Sequence, residues 1–152
     1  MGRSRIYGTL TLVTALSFGA GAAPGSAEDL KREHIEPVEG TFSQVVTVEK
    51  NGVKTIYVSG QTAPGETLAE QSRSLYASMK RRLELAGATP ADVVKLVTYV
   101  VNWAPEKGAG AFAGFGEVFG ALENKPAHTL IGVQALFQPE IKIEVEAIAV
   151  TD

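Results

Sequence analysis

The segment "IKIEVEAIAV", residues 141–150, constrains the fold more than any other part of the sequence. Every second residue from Ile141 to Ala149 is apolar. The alternate positions form a mixed face: Lys142, Glu144, Glu146, Ile148 and Val150. An alternation of period two is typical of a β-strand that buries one face. The end of the chain therefore predicts a sheet with one face covered by other elements.

Other β-rich segments predict the partners of this strand. The runs "FSQVVTVEK" and "VKTIYVSG" flank Asn51-Gly52, a dipeptide that favours the type I′ turn of a β-hairpin. The segments "DVVKLVTYVVNW" and "HTLIGVQAL" are rich in β-branched residues, and each predicts one further strand.

Two segments carry helical patterns. Thr67 and Glu70 fit a capping box at the start of the first helix, and Gly87 is placed to end it. An apolar stripe follows at helical spacing: Leu68, Leu75, Met79, Leu83 and Ala86. The second pattern is Phe112, Phe115, Phe119 and Leu122. Because this segment is rich in glycine, which weakens a helix, we expect its helix to begin near Ala111.

The predicted element order is ββαβαββ, which indicates a single α+β domain over residues 41–152. Two helices can cover only one face of such a sheet, so the other face must meet water or a partner. The side of the last strand that carries Ile148 and Val150 is too apolar for water alone. A symmetric homo-oligomer that buries this face is therefore expected.

The N-terminal region predicts export. Residues 1–27 join a basic start, an apolar run too short to span a membrane, and small residues before a charged segment. This pattern is typical of a signal peptide cleaved after Ala27, which predicts a periplasmic or secreted protein. Residues 28–40 are charged and aperiodic, and are interpreted as a lead-in to the domain.

Composition excludes several classes of site. The chain has 14 basic and 17 acidic residues and no cysteine, which excludes disulfides and thiolate chemistry and gives no basic surface for nucleic acid. The basic run Lys80 to Arg82 falls in the first helix, where a solvated face is favoured over a phosphate site. His34 beside Glu33 and Glu36 makes a poor metal site. No metal and no cofactor are expected, and no glycine-rich nucleotide motif is complete.

Five segments together resemble the Rid (YjgF/UK114) family, whose best-known members are enamine/imine deaminases. The segments are "FSQVV", "IYVSGQTAPG", "LAGATPADVVKLVTYV", "KPAHT" and "IKIEVEAIAV". The resemblance runs from about Phe42 to Val150. It implies a chorismate-mutase-like fold assembled as a homotrimer, with three clefts between neighbouring subunits.

The resemblance also implies a set of site residues. Glu144 matches a glutamate that orients the attacking water, and His128 stands where active members have an arginine that binds the substrate carboxylate. The remaining matched cleft positions are Ser59, Gly60, Phe42, Gly116 and Leu130. Of these, Phe42 lacks a tyrosine hydroxyl, Gly116 replaces an asparagine, and Leu130 stands at a position that is often cysteine.

The loss of the arginine changes the expected chemistry. A guanidinium is always charged and binds a carboxylate through two parallel N–H bonds, whereas a neutral imidazole offers one donor. Hydrolysis of 2-imino acids is therefore expected to be weak or absent. His128 is either an acid–base partner of Glu144 across the cleft or a residue that fills a former site. Glu144 itself is either the water-activating group or a solvated strand residue.

Two functions remain open on these grounds. The trimer hydrolyses an imine or enamine that lacks the usual carboxylate, or it binds a small ligand without catalysis as a protective protein. The acidic balance argues against ribonuclease activity, which is an older suggestion for the family. The expected partners are other copies of the chain and a small molecule, and neither nucleic acid nor, once the leader is removed, a membrane.

Overall fold

A computed structural model of the chain describes residues 29–152. The predicted signal peptide, residues 1–27, lies outside the described residues. Six strands form one sheet: β1 Lys31–Val38, β2 Phe42–Lys50, β3 Val53–Gln61, β4 Val93–Val101, β5 Ala127–Val133 and β6 Ile143–Thr151. The helices are α1 Leu68–Leu85, α2 Gly108–Ala111 and α3 Ala113–Phe119, with short 3₁₀ turns at Pro90–Asp92 and Pro105–Lys107.

The strands lie in the order β1-β2-β3-β6-β4-β5, and only the pair β4–β5 is parallel. The hairpin between β2 and β3 turns at Asn51 and Gly52, whose φ angles of 53° and 78° are those a type I′ turn requires. The predicted hairpin and the mixed α+β class are thereby confirmed.

Helix α1 begins as the sequence predicts. Thr67 accepts a hydrogen bond from the backbone of Glu70, and the Glu70 carboxylate accepts one from the backbone of Thr67. After the helix, Gly87 has a φ of 80°, a conformation that glycine adopts without strain. The apolar face of α1 packs on β3 and β6. Its residues Leu75, Met79 and Leu83 are at most 1% exposed as a result.

The covered face of the sheet holds the core. The alternation of β6 is confirmed, since its inward residues are at most 3% exposed: Ile143, Val145, Ala147 and Ala149. Helix α3 joins this core by a close approach to α1, where Gly114 donates a backbone hydrogen bond to the Ser72 hydroxyl. A Cβ on Gly114 would lie 2.3 Å from the Ser72 carbonyl oxygen, so only glycine fits there.

Two predictions about the elements are wrong. Lys31–Val38, within the segment interpreted as a lead-in, is a strand paired antiparallel with β2, so the order begins with three strands and the fold starts before residue 41. As an exposed edge strand it has little apolar surface to bury, and the sequence therefore shows no alternation. The second helical segment is already helical at Gly108, before the predicted start near Ala111, and the helix is interrupted at Phe112. It therefore forms two short helices, α2 and α3.

The face of the sheet opposite the helices is apolar and uncovered within one chain. Val46, Tyr57, Val97 and Ile148 line a depression of about 280 Å³ on this face. Tyr57 is 46% exposed although it lies in the middle of the sheet. Exposed apolar surface of this kind is typical of an interface with another chain.

Candidate functional site

Glu144 and Gly60 lie in contact at the open face of the sheet. Glu144 is near the start of β6, and Gly60 lies in an irregular part of β3 where the register with β6 shifts between Val58 and Gln61. A Cβ on Gly60 would lie 1.8 Å from Oε1 of Glu144. The carboxylate therefore occupies the space that a side chain at position 60 would fill.

The surroundings of Glu144 favour the protonated carboxyl more than water does. Burial raises the pKa of Glu144, and the negative charge of Glu146, two residues along β6, raises it further. A carboxylate with a raised pKa is a stronger base than an ordinary glutamate. Glu144 therefore has the chemistry needed to take a proton from water.

A cavity of about 440 Å³ opens beside Glu144. Its lining comes from β2, β3 and the loop after it, helix α1, the loop before β6, and β6: Phe42, Gln44, Gly60, Gln61, Thr62, Ser78, Arg82, Phe137 and Glu144. The volume suits a small metabolite. Of the residues proposed from the sequence, Phe42, Gly60 and Glu144 come together here.

Ser59 does not line the cavity beside Glu144, and its hydroxyl is hydrogen-bonded within the sheet. Its hydroxyl donates a 2.7 Å hydrogen bond to the carbonyl oxygen of Ser43, and it lines the open-face depression rather than the cavity beside Glu144. The hydroxyl thereby joins β3 to β2 at the irregular part of the strand.

His128 lies on β5 in an aromatic environment. Its Nε2 is 2.8 Å from the hydroxyl of Thr98, and its ring stacks on Phe115 and meets Phe112 edge-on, both with centroids 5.5 Å away. Burial lowers the pKa of His128, and the positive charge of Lys95 lowers it further. The imidazole is therefore neutral at pH 7.

Leu130 and Gly116 lie near this histidine. Leu130 is two residues along β5 and packs against the hydrophobic core. Gly116 lies in α3, next to Phe115, and a Cβ there would have no neighbour within 4 Å. The space at Gly116 is open, and Leu130 and Gly116 are grouped with His128 on this side of the sheet.

The seven candidate residues thus form two groups on opposite faces of one sheet. His128 contacts α2–α3 side chains and buried Thr98, so it lies on the helix-covered face. Glu144 lies between the buried residues Ile143 and Val145, so its side chain points to the open face. Within one chain the two groups cannot form an acid–base pair.

Arg82 is a cavity residue that the sequence interpretation missed. The side chain of Arg82 is 13% exposed, whereas that of the preceding Arg81 is 52% exposed. The prediction of a solvated face is therefore wrong for Arg82. Its position seven residues after Leu75 and three after Met79 places it beside the buried stripe of α1, and this spacing was the available signal.

Residues 29–152 contain no cluster of three or more histidine, cysteine, aspartate or glutamate side chains arranged to hold a metal ion. In the same range, no helix has both the length and the hydropathy needed to cross a membrane.

Comparisons with known proteins agree with this fold. A family model described as endoribonuclease L-PSP matches residues 33–151. A RutC family protein of Pyrococcus abyssi is 33% identical over 120 residues, which cover 72% of this chain and 86% of that protein.

Solved structures give the same result. A Rid family protein of Yersinia pestis is 38% identical with a TM-score of 0.59, over 78% of this chain and 97% of that one. A YjgF/YER057c/UK114 family member from Mycobacterium tuberculosis is 26% identical with a TM-score of 0.65, over 80% of this chain and 100% of that one. The chain therefore belongs to the Rid (YjgF, endoribonuclease L-PSP) family.

Proposed function

We propose that this protein hydrolyses an imine or enamine in clefts shared by neighbouring subunits of a homotrimer, with Glu144 as the base. The observation that carries the proposal is the Glu144 carboxylate, held against Gly60 at a cavity of metabolite size. Burial and Glu146 raise its pKa, which suits it to accept a proton.

The reaction needs only water and the substrate. The Glu144 carboxylate accepts a proton from water as the water oxygen bonds to the imine carbon, and the electron pair of the C=N bond moves to nitrogen. Proton transfer to that nitrogen and cleavage of the C–N bond then release ammonia and leave a carbonyl compound. An enamine enters the same sequence after it takes up a proton at carbon.

The group around His128 supports a substrate without a carboxylate on the imine carbon. A neutral imidazole stacked on Phe115 offers a single hydrogen bond rather than two parallel ones. The ring of Phe112 adds apolar surface to this side, and the space beside Gly116 is open. An uncharged substituent fits this half of the cleft better than a carboxylate does.

Shared clefts follow from the positions of the two groups. His128 and Glu144 meet in one site only if they come from different chains. The exposed apolar depression lined by Tyr57, Val97 and Ile148 supplies a surface for that association. We therefore propose the homotrimer that is implied by the family resemblance, and sedimentation or light scattering of the purified protein measures its mass.

Ammonia release tests the proposed reaction. Imines without a carboxylate on the imine carbon are generated in situ from primary amines by an amine oxidase, and imines with one there from amino acids by an amino acid oxidase. We expect the wild type to accelerate release from the first set above the uncatalysed rate, and Glu144→Gln to lower that acceleration about 100-fold. Equal rates for the two proteins would refute Glu144 as the base.

The second candidate function is non-catalytic binding of a small ligand, as a protective protein. It is favoured by the engagement of the Ser59 hydroxyl with Ser43 and by the replaced positions at Phe42, Gly116 and His128. In that case, ligands shift the thermal midpoint of the wild type and of Glu144→Gln alike, and neither protein releases ammonia from the imine panel.

RNA is not proposed as the substrate, although the matched family model is described as an endoribonuclease. The chain carries a formal charge of −3, and the described lining of the cavity beside Glu144 contains a single cation. Affinity for RNA depends on several contacts between basic side chains and phosphates.

We also propose that the protein acts outside the cytoplasm. The support is the signal-peptide pattern of residues 1–27. Removal of these residues leaves 12 basic and 17 acidic residues, a formal charge of −5.

A further inference from the structure

We propose that Arg82 binds an anionic group of the ligand, and that this group lies away from the imine carbon on which Glu144 acts. The inference deepens the proposed function, because it concerns the same cavity and adds a substrate class. In this proposal Arg82, on helix α1, supplies the cation in place of the family arginine that is missing at position 128.

The position of Arg82 is the first observation. The residue lines the same cavity as Glu144, Gly60 and Phe42, and it is the only cation among the described residues that do so. Its side chain is 13% exposed, so its charge is shielded from water far more than that of a surface arginine. A shielded cation at a cavity attracts an anion more strongly than an exposed one.

The side chain of Arg82 is held in place by three elements. Its Nη1 donates to Oε1 of Gln61 at 2.6 Å and to the hydroxyl of Ser78. Its Nε lies 3.2 Å from Oε2 of Glu36 but is not aligned for a hydrogen bond, so this buried nitrogen has no hydrogen-bond partner. A guanidinium fixed in this way loses little conformational freedom when it binds a ligand.

Glu36 is aimed at the arginines by an irregularity in β1. Its φ is 48°, an uncommon conformation for glutamate, and the pairing of β1 with β2 skips it between Ile35 and Pro37. Its carboxylate accepts two hydrogen bonds from Nη2 of Arg81, at 2.7 and 3.0 Å. Glu36 thereby serves as a positioning residue for Arg82.

The charges at this place do not balance. Arg81 and Arg82 share the single carboxylate of Glu36, which leaves one positive charge in excess. Glu144 does not pair directly with Arg82, since within the described residues the ion pairs of Arg82 involve only Glu36. Hydrogen bonds within residues 29–152 engage only Nη1 of Arg82, so Nη2 remains able to donate to a ligand.

The geometry therefore favours a substrate with separated groups. A compact anion, such as a carboxylate, binds at Arg82, while the imine or enamine nitrogen lies within reach of Glu144. Arg82 and Glu144 form no ion pair with each other, so a ligand that contacts both residues has to span the space between them.

Binding of a matched pair of small probes tests the assignment without any turnover. Propionate and propionamide have nearly the same shape and differ in charge, and NMR titration measures the affinity of each. We expect the wild type to bind propionate at least about tenfold more tightly than propionamide, as expected for a charge-assisted contact. Arg82→Gln should abolish that preference, and Arg82→Lys should retain part of it.

Arg73→Gln is the matched control, since it removes an exposed cation of the same helix that pairs with Glu117 and does not line the cavity. It should leave the preference for propionate within about twofold. A wild type without the preference, an Arg82→Gln variant that keeps it, or an equal loss in Arg73→Gln would each overturn the assignment. These outcomes are independent of ammonia release, so the binding role of Arg82 and the catalytic role of Glu144 fail separately.

Discussion

Glu144 and His128 lie on opposite faces of one sheet, with Glu144 paired to Tyr99 across β6–β4 and His128 paired to Leu96 across β4–β5. One chain therefore presents a polar group with a basic carboxylate on its open face and an aromatic group around a neutral imidazole on the other. In the proposed homotrimer each group would be half of a cleft, with a neighbouring subunit supplying the other half.

The contact between Gly60 and Glu144 predicts the effect of a single methyl group. In Gly60→Ala the new Cβ occupies the place of Oε1, so the Glu144 side chain has to move. Because the displaced atoms are the end of a flexible side chain, we expect the variant to fold with a thermal midpoint close to that of the wild type. Its ammonia release should fall about 100-fold, as expected for a misplaced base.

Gly108→Ala is the control for this glycine. A Cβ there would meet its nearest neighbour, in Trp103, at 3.8 Å, an ordinary contact distance, and position 108 is helical. The variant should unfold at the same or a higher temperature, because alanine favours a helix over glycine by about 0.5–1 kcal/mol. Its ammonia release should equal that of the wild type, and a matching loss in both variants would show that Gly60 has no special relation to Glu144.

The raised pKa of Glu144 predicts that its ionised carboxylate, which the reaction needs, lowers the stability of the fold. The folded protein favours the protonated carboxyl more than the unfolded chain does, so ionisation of Glu144 at neutral pH destabilises the fold. Glu144→Gln should therefore have a higher thermal midpoint than the wild type at pH 7. The difference should shrink as the pH falls through the raised pKa of the folded protein and should disappear below the pKa of the unfolded chain, where both side chains are neutral. A lower midpoint at pH 7 would contradict this account.

The same shift predicts the acid side of the pH–rate profile. Ammonia release requires the ionised carboxylate, so kcat/KM should fall as the pH decreases through a pKa above that of an ordinary glutamate. His128 is neutral at pH 7 and has a lowered pKa, so its own protonation falls in the same acidic direction. In His128→Gln the fall should persist at the raised pKa of Glu144, and its disappearance would assign the profile to the histidine.

The proposed export predicts a processed N-terminus. When the full chain is expressed in a Gram-negative host, the protein should accumulate in the periplasm with an intact mass that corresponds to residues 28–152. Replacement of Ala27 by a bulky residue should slow processing, because the cleavage site requires small side chains. Retention of residue 1 on protein from the cytoplasm would contradict export.

Local chemistry made much of the fold predictable from the sequence. The capping box at Thr67, the turn at Asn51-Gly52 and the alternation of β6 each act over a few residues, and the structure confirms all three. Strand β1 was missed because an exposed edge strand has no buried face to impose a pattern. The close approach of Gly114 to α1, beside the interruption at Phe112, is a tertiary contact that no spacing along the chain reveals.

The candidate site was predictable in its members but not in its arrangement. The family resemblance identified Glu144, Gly60 and Phe42, and these residues line one cavity. That His128 lies on the other face follows from which side of β5 the helices cover, a tertiary property. Arg82 was missed because the run of three basic residues suggested solvation, whereas its neighbours on β1 and β3 bury it.

Subunit mixing tests the shared cleft most directly. Glu144→Gln removes the base from one half of the site, and His128→Trp fills the other half with an indole whether or not the imidazole itself acts. Each variant alone should be inactive towards imines that lack a carboxylate on the imine carbon. When the two are co-expressed and assemble at random, about a quarter of the clefts combine two intact halves, so about a quarter of the wild-type ammonia release should return. If the mixture is no more active than the separate variants, the cleft is not shared between subunits and the account is wrong.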